Sequence, residues 1–188
     1  ICNHINSEKF NVTLAVLNNR RQFFSITNDA VKLIDLQKPS VRHSLFAIRS
    51  LVRETNADVL LTTANHLNLF IGIFRLMFPK SLRIIARESS IASENIPSRW
   101  HTGFYKWLTE KFYKKIDEVV CQSVEMRSDL VKHFHVPIDK THVINNAAIM
   151  PSLNTNEHRV LTGIPHFISV GRLSHIKGYD RVLQAVQL

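Results

Sequence analysis

The chain has 188 residues, 45% of them apolar, which is enough to bury a core but short for two complete domains. Two cysteines, Cys2 and Cys121, argue against a disulfide framework and for a reducing compartment. The net charge of +9 comes from 24 Lys and Arg against 15 Asp and Glu, and positions 75–115 alone hold nine cations and three carboxylates. An anionic partner is implied, either a membrane leaflet or nucleic acid.

Short apolar runs alternate with helical periodicity through most of the sequence, a pattern that predicts a parallel sheet wound with helices. Val12–Leu17 and Val31–Leu36 read as the first strands. Ser40 stands where it would cap a helix beginning near Val41, in which Val41, Leu45, Ile48 and Val52 recur at helical spacing. Asp58–Thr62 is the next strand. The most apolar stretch, Leu67 to Phe78, is 12 residues long and holds Arg75, so it is too short to cross a bilayer and reads as a buried helix. Strand Leu82–Ala86 follows, with Arg87-Glu88-Ser89-Ser90 just beyond its carboxyl end.

Between Arg99 and Lys115, the residues Trp100, Phe104, Trp107 and Leu108 share one helical face and Lys106, Lys111, Lys114 and Lys115 surround it. That face either packs on the sheet or meets a membrane. Strand Glu118–Gln122, with Cys121 as a buried thiol, precedes a helix that Ser123 caps and Glu125 supports from its first turn. Thr141–Asn145 is the last strand of this part. Met150 to Gly163 is polar, contains Pro151, and reads as an interdomain linker.

After the linker, Phe167, Ile168 and Val170 predict a short buried parallel strand, and Gly171 removes the side chain where the backbone would turn closely past a ligand. Arg172 and Lys177 add two cations. Lys177-Gly178 then leads into Tyr179, Val182, Leu183 and Val186, a helix whose first amides can face an anion. No GxGxxG occurs, which disfavours a dinucleotide turn.

Gly171-Arg172-Leu173 followed by Lys177-Gly178-Tyr179-Asp180 resembles the start of the nucleotide-sugar-binding domain of family 4 retaining glycosyltransferases of the GT-B fold (glycosyltransferase group 1). Fainter likenesses precede it. Ala57-Asp58-Val59-Leu60, the segment from Asp117 to Ser123, and Val143-Ile144-Asn145-Asn146 resemble the family's acceptor-side domain, although Ala147 stands where the family has Pro. The resemblance implies an α/β fold: a Rossmann-like doubly wound parallel sheet, the GT-B N-terminal domain, with the start of a second Rossmann-like domain. Residues 1–150 would be the acceptor-side domain with its first strand missing, 151–164 the linker, and 165–188 the first strand-helix unit of the donor domain. On this view the chain is part of a longer protein, with the Glu-x₇-Glu pair of the family lying beyond Leu188.

In such a family, Arg172 and Lys177 hold the donor's diphosphate at a turn made by Gly171 and Gly178. The chemistry suits them, since a guanidinium offers forked donors to phosphate oxygens and an ammonium can follow the departing charge. Glu88 occupies a position where many members place His. It would orient or deprotonate an acceptor hydroxyl; otherwise it is an ion pair with Arg87 or Arg83, or a loop carboxylate in water. His133 and His135 point to different helix faces, and no metal or cofactor is expected beyond the nucleotide diphosphate sugar that serves as donor substrate. The implied activity is metal-independent hexosyl transfer to a glycan or lipid-linked acceptor, in cell-surface polysaccharide or glycolipid synthesis. The expected place is the cytoplasm, peripheral at the inner membrane face, with an anionic membrane surface and not nucleic acid as further partner, because single-stranded nucleic acid needs aromatics exposed in a groove. The alternatives are a non-catalytic nucleotide-binding or regulatory module and a basic nucleic-acid-binding protein.

Overall fold

Among the described residues six strands form where the apolar runs lie, and every pairing between them is parallel. The computed structural model describes residues 2–19, 26–95, 102–147, 168–171 and 177–186. β1 (Val12–Val16) pairs with β2 (Val31–Asp35) in a two-stranded sheet. β3 (Val59–Thr62), β4 (Arg83–Arg87), β5 (Glu118–Cys121) and β6 (Thr141–Val143) form a second sheet in sequence order. The chain divides into two compact units, 1–147 and 148–188.

Parallel strands need crossovers, and helices supply them. α1 (Leu45–Glu54) links β2 to β3, α2 (Asn65–Ile73) links β3 to β4, α3 (Thr102–Tyr113) links β4 to β5, and α4 (Val124–Phe134) links β5 to β6. Because each step from β3 to β6 moves to the next position in one direction, right-handed crossovers put α2, α3 and α4 on a single face. They pack there in series, α2 on α3 and α3 on α4. The register aligns Thr62 with Ala86, Ala86 with Val119, and Val119 with Thr141, all buried on that face. On the opposite face Val59 and Leu61 remain about half exposed. The core beneath the helices gathers Ile71, Leu82, Ile84, Ile116, Val119, Leu130 and Phe134.

Several local expectations shift. Ser40 does not cap α1: its Oγ lies 2.8 Å from His43 Nδ1, and it opens a 3₁₀ turn, Val41–His43, before α1 begins at Leu45. The apolar helix expected through Phe78 ends at Ile73 and continues as a 3₁₀ turn, Arg75–Met77. Pro79 forces Phe78 into extended backbone, which stops the helix. The Arg75 guanidinium then fixes the bend by donating to the Pro79 and Leu82 carbonyls, 3.1 and 2.9 Å away. Asp117, 3.7 Å from that guanidinium, accepts the Ile84 amide at 2.8 Å.

The start of α4 follows the expected chemistry. Ser123 Oγ accepts the Met126 N–H at 3.3 Å, and hydrogen bonds from the Ser123 side chain and from its own amide lower the Glu125 carboxyl pKa. His135, at φ 50°, ends the helix in the left-handed region. Cys121 is buried, as its apolar neighbours imply. In the second unit, α5 (Tyr179–Val186) forms, but the strand expected at Phe167–Val170 does not form over 168–170. Ile168 and Val170 are each 91% exposed there, because no neighbouring strand pairs with them among the described residues.

The approach of α2 to α3 depends on one missing side chain. A Cβ on Gly72 would lie 2.8 Å from the Phe112 carbonyl oxygen, which belongs to helix backbone and cannot swing aside. Gly72→Ala should therefore cost about 1–3 kcal/mol in urea unfolding, the usual penalty of overpacking. Gly103→Ala in α3, where an added Cβ meets nothing within 4 Å, should hold stability or raise it by up to about 1 kcal/mol. Equal losses in the two variants would remove the packing explanation.

Candidate functional site

Parallel sheets present ligand-binding residues beyond the carboxyl ends of their strands. Here those ends bring Thr62 of β3, Glu88 just after β4, and Gln122 just after β5 into one polar cluster. Glu88 is 1% exposed. Its Oε1 accepts from Asn68 Nδ2 of α2 at 2.7 Å and from the Tyr113 hydroxyl of α3 at 2.6 Å. Asn68 also donates to the Arg87 carbonyl at 3.1 Å, and its own carbonyl oxygen accepts the Thr62 hydroxyl at 2.7 Å. The main chain is held as firmly, since the Glu88 amide donates to the Val120 carbonyl at 2.8 Å and Gln122 Nε2 donates to the Glu88 carbonyl at 2.9 Å.

A buried carboxyl needs hydrogen bonds to offset its lost hydration, and only one of these two oxygens has them. Oε2 has no hydrogen-bond partner among the described residues. Burial accordingly raises the Glu88 pKa above the ordinary 4.5, against the lowering effect of Tyr113 and then Asn68, while the Asp129 charge adds a further small rise. Burial and the Glu88 charge also raise the Tyr113 and Tyr105 phenols, and they push the Cys121 thiol up to about 11. The thiol is thus kept as an inert core group.

Glu88 is neither a loop carboxylate in water nor an ion pair with Arg87 or Arg83. Arg83 meets Glu118 at 3.4 Å, and Arg87 donates to Asn146 Oδ1. The carboxyl turns inward because α2 and α3 offer it an amide and a phenol. Neither partner was picked out from the sequence, although Asn68 carries a signal, being a polar side chain at the start of the most apolar stretch. Such a residue is buried only with a partner.

Near this cluster an open cleft of about 500 Å³ lies between the segment after β4 and one side of α4, from Val124 to His133. Ser93, Glu94, Glu125, Asp129, Lys132 and His133 are among its walls. Ser93 is fixed by Asp129, donating its amide to Oδ2 at 3.1 Å and its hydroxyl to Oδ1 at 2.5 Å. His135 forms an ion-pair contact with Glu110 at 3.2 Å, away from this cleft.

In the second unit Lys177 is exposed immediately before α5. Gly178 has φ 66°, a left-handed value that glycine adopts without strain. A Cβ on Gly171 would lie 2.3 Å from the Tyr179 hydroxyl, so the bare backbone there accommodates a side chain of the same unit. Arg172 lies outside the described residues.

An open parallel α/β unit with a polar cluster and a cleft at its carboxyl edge defines a class of ligand-binding domains shared by many enzymes. The family model for Glycosyltransferase Family 4 matches residues 1–148, and the chain belongs to that family. No curated protein matches it.

The Glu88 cluster sets a pH dependence of stability. Because the folded protein binds the Glu88 proton more tightly than the unfolded chain does, that contribution is fully present below pH about 4.5 and is lost as pH rises through the raised folded value. Glu88→Gln should remove this component and be more stable than the parent above the window, as measured by urea unfolding at a series of pH values. Tyr113→Phe, which strips one of the two donors from Oε1, should lose about 1–3 kcal/mol above the window. A Gln variant with the parent's pH profile would show that the carboxyl does not titrate in this environment.

Proposed function

We propose that this chain forms the acceptor side and the first donor-side elements of a glycosyltransferase that moves a sugar from a nucleotide diphosphate sugar to a glycan or lipid-linked acceptor with retention. The observation that carries the reading is the family membership of residues 1–148. The cleft walled by Ser93, Asp129, Lys132 and His133 fits an acceptor rich in hydroxyls, which carboxylates, hydroxyls, an ammonium and an imidazole can bind. Enclosed Glu88 acts as a positioning residue in this scheme: it ties the end of β4 to α2, α3 and Gln122, and so sets the floor beside the cleft.

On the donor side, Gly171, Arg172, Lys177 and Gly178 hold the diphosphate. Its negative charge grows as the glycosidic bond breaks, and fixed cations stabilise that charge without a metal. The positive φ of Gly178 lets the backbone turn directly from Lys177 into α5, so an anion bound by Lys177 could also meet the first amides of the helix. No helix among the described residues is long and apolar enough to cross a membrane. A lipid-linked acceptor would be met from the cytoplasmic side by peripheral contact, in polysaccharide or glycolipid synthesis.

The test uses the full-length protein with a panel of nucleotide sugars. Lys177→Ala should lower turnover at least about a hundredfold, the loss expected when a leaving-group cation is removed, and Arg172→Lys should also be slow because a point charge does not reproduce the fork. Transfer should survive EDTA, and the product should keep the donor's anomeric configuration. Near-normal turnover of Lys177→Ala would take the diphosphate away from this turn, and metal-restorable loss in EDTA would contradict the metal-free scheme.

A further inference from the structure

The sequence places four lysines and one glutamate between Thr102 and Lys115. In α3 the core-facing side is formed by Tyr105, Thr109 and Tyr113, with Leu108 and Phe112 packed at its edges and Ile116 beyond its end; of the set that periodicity suggests, Leu108 thus meets the core, and Trp100 lies outside the described residues. Phe104 and Trp107 lie on the outer side, 51% and 49% exposed. Their rings stack at 5.9 Å with an interplanar angle of 22°. Lys111 Nζ sits 4.7 Å from the Trp107 ring centroid, and Lys115 Nζ lies 4.7 Å from that of Phe112. Glu110, the helix's carboxylate, contacts Lys114 at 3.7 Å and His135 at 3.2 Å.

We propose that this outer stripe of α3, with Phe104, Trp107, Lys111, Lys114 and Lys115, docks on an anionic lipid bilayer. Two large aromatics held half exposed side by side form a patch, unlike the scattered single apolar residues of an ordinary surface. Their lysine neighbours match a negative headgroup layer in charge. The chemistry is that of an interfacial helix: at about 18 Å α3 is too short to span a bilayer but long enough to lie in its surface. Trp and Phe edges enter the headgroup boundary there, and lysine stems reach past them to phosphate. Single-stranded nucleic acid fits less well, because bases need open ring faces, and here Phe104 covers one face of Trp107 while Lys111 lies over the ring. The inference is independent of sugar transfer, since it concerns only where α3 rests.

Co-sedimentation with vesicles tests it, using phosphatidylcholine alone and phosphatidylcholine mixed with an equal part of phosphatidylglycerol. The protein should partition onto the anionic vesicles at low salt, stay off the neutral ones, and be released at high salt. Replacing Lys111, Lys114 and Lys115 together by Gln should weaken partition at least about tenfold, while circular dichroism and urea unfolding match the parent. Brominated lipid should quench more fluorescence in the parent than in Trp107→Phe. Equal partition onto both vesicle types, an unchanged Gln variant, or equal quenching in Trp107→Phe would overturn the proposal. Tighter binding of the stripe to single-stranded DNA than to anionic vesicles would overturn it in favour of nucleic acid. Transfer activity is a separate readout, so failure here leaves the transfer reading standing, and the converse holds too.

Discussion

The Glu88 carboxyl stays out of water only because α2 and α3 both reach it. Leaving a carboxylate buried without partners costs several kcal/mol, and a hydrogen bond to a charged group returns about 1.5–3. Asn68 and Tyr113 supply two such bonds to one oxygen. Their side chains can meet there only if the two helices cross the sheet in one register, so the polar cluster selects the packing that Gly72 makes sterically possible. The apolar core beneath is non-directional and would tolerate small slips; the carboxyl would not.

This constraint also shapes the functional edge. Thr62, Glu88 and Gln122 come from the ends of three adjacent strands, and their hydrogen bonds tie those ends together. The chain leaving β4 then runs from a fixed point to Ser93, which Asp129 anchors on α4. An open cleft therefore lies along an edge whose polar groups are largely paired, while Glu88 Oε2 has no hydrogen-bond partner among the described residues. The same burial keeps Cys121 as a thiol, with its pKa pushed up to about 11.

The strands were legible because parallel-sheet strands are short apolar runs, and all six in the first unit begin within a residue of where those runs begin. Ser123 was legible as a cap for a local reason: donor and acceptor lie three residues apart. Glu88 was legible as a residue at the carboxyl end of a strand but not as a buried one, since its partners lie 20 and 25 residues away on two different helices. The orientation of α3 stayed open between the sheet and the surface because Tyr105, Phe112 and Tyr113 are aromatic as well. Periodicity alone does not say which of two aromatic stripes meets the sheet. Ser40 failed as a cap because a histidine three residues on competes for its hydroxyl.

The most direct measurement is a carbon-13 titration of the Glu88 side-chain carboxyl in protein labelled at glutamate, assigned by the loss of its signal in Glu88→Gln. If the carboxyl is enclosed by α2 and α3, its midpoint lies above 4.5, and Tyr113→Phe moves it higher still, because the phenol donates to the charged form. A midpoint at or below 4.5 that ignores Tyr113→Phe would place the carboxyl in water. It would also dissolve the link between helix packing and the edge of the sheet.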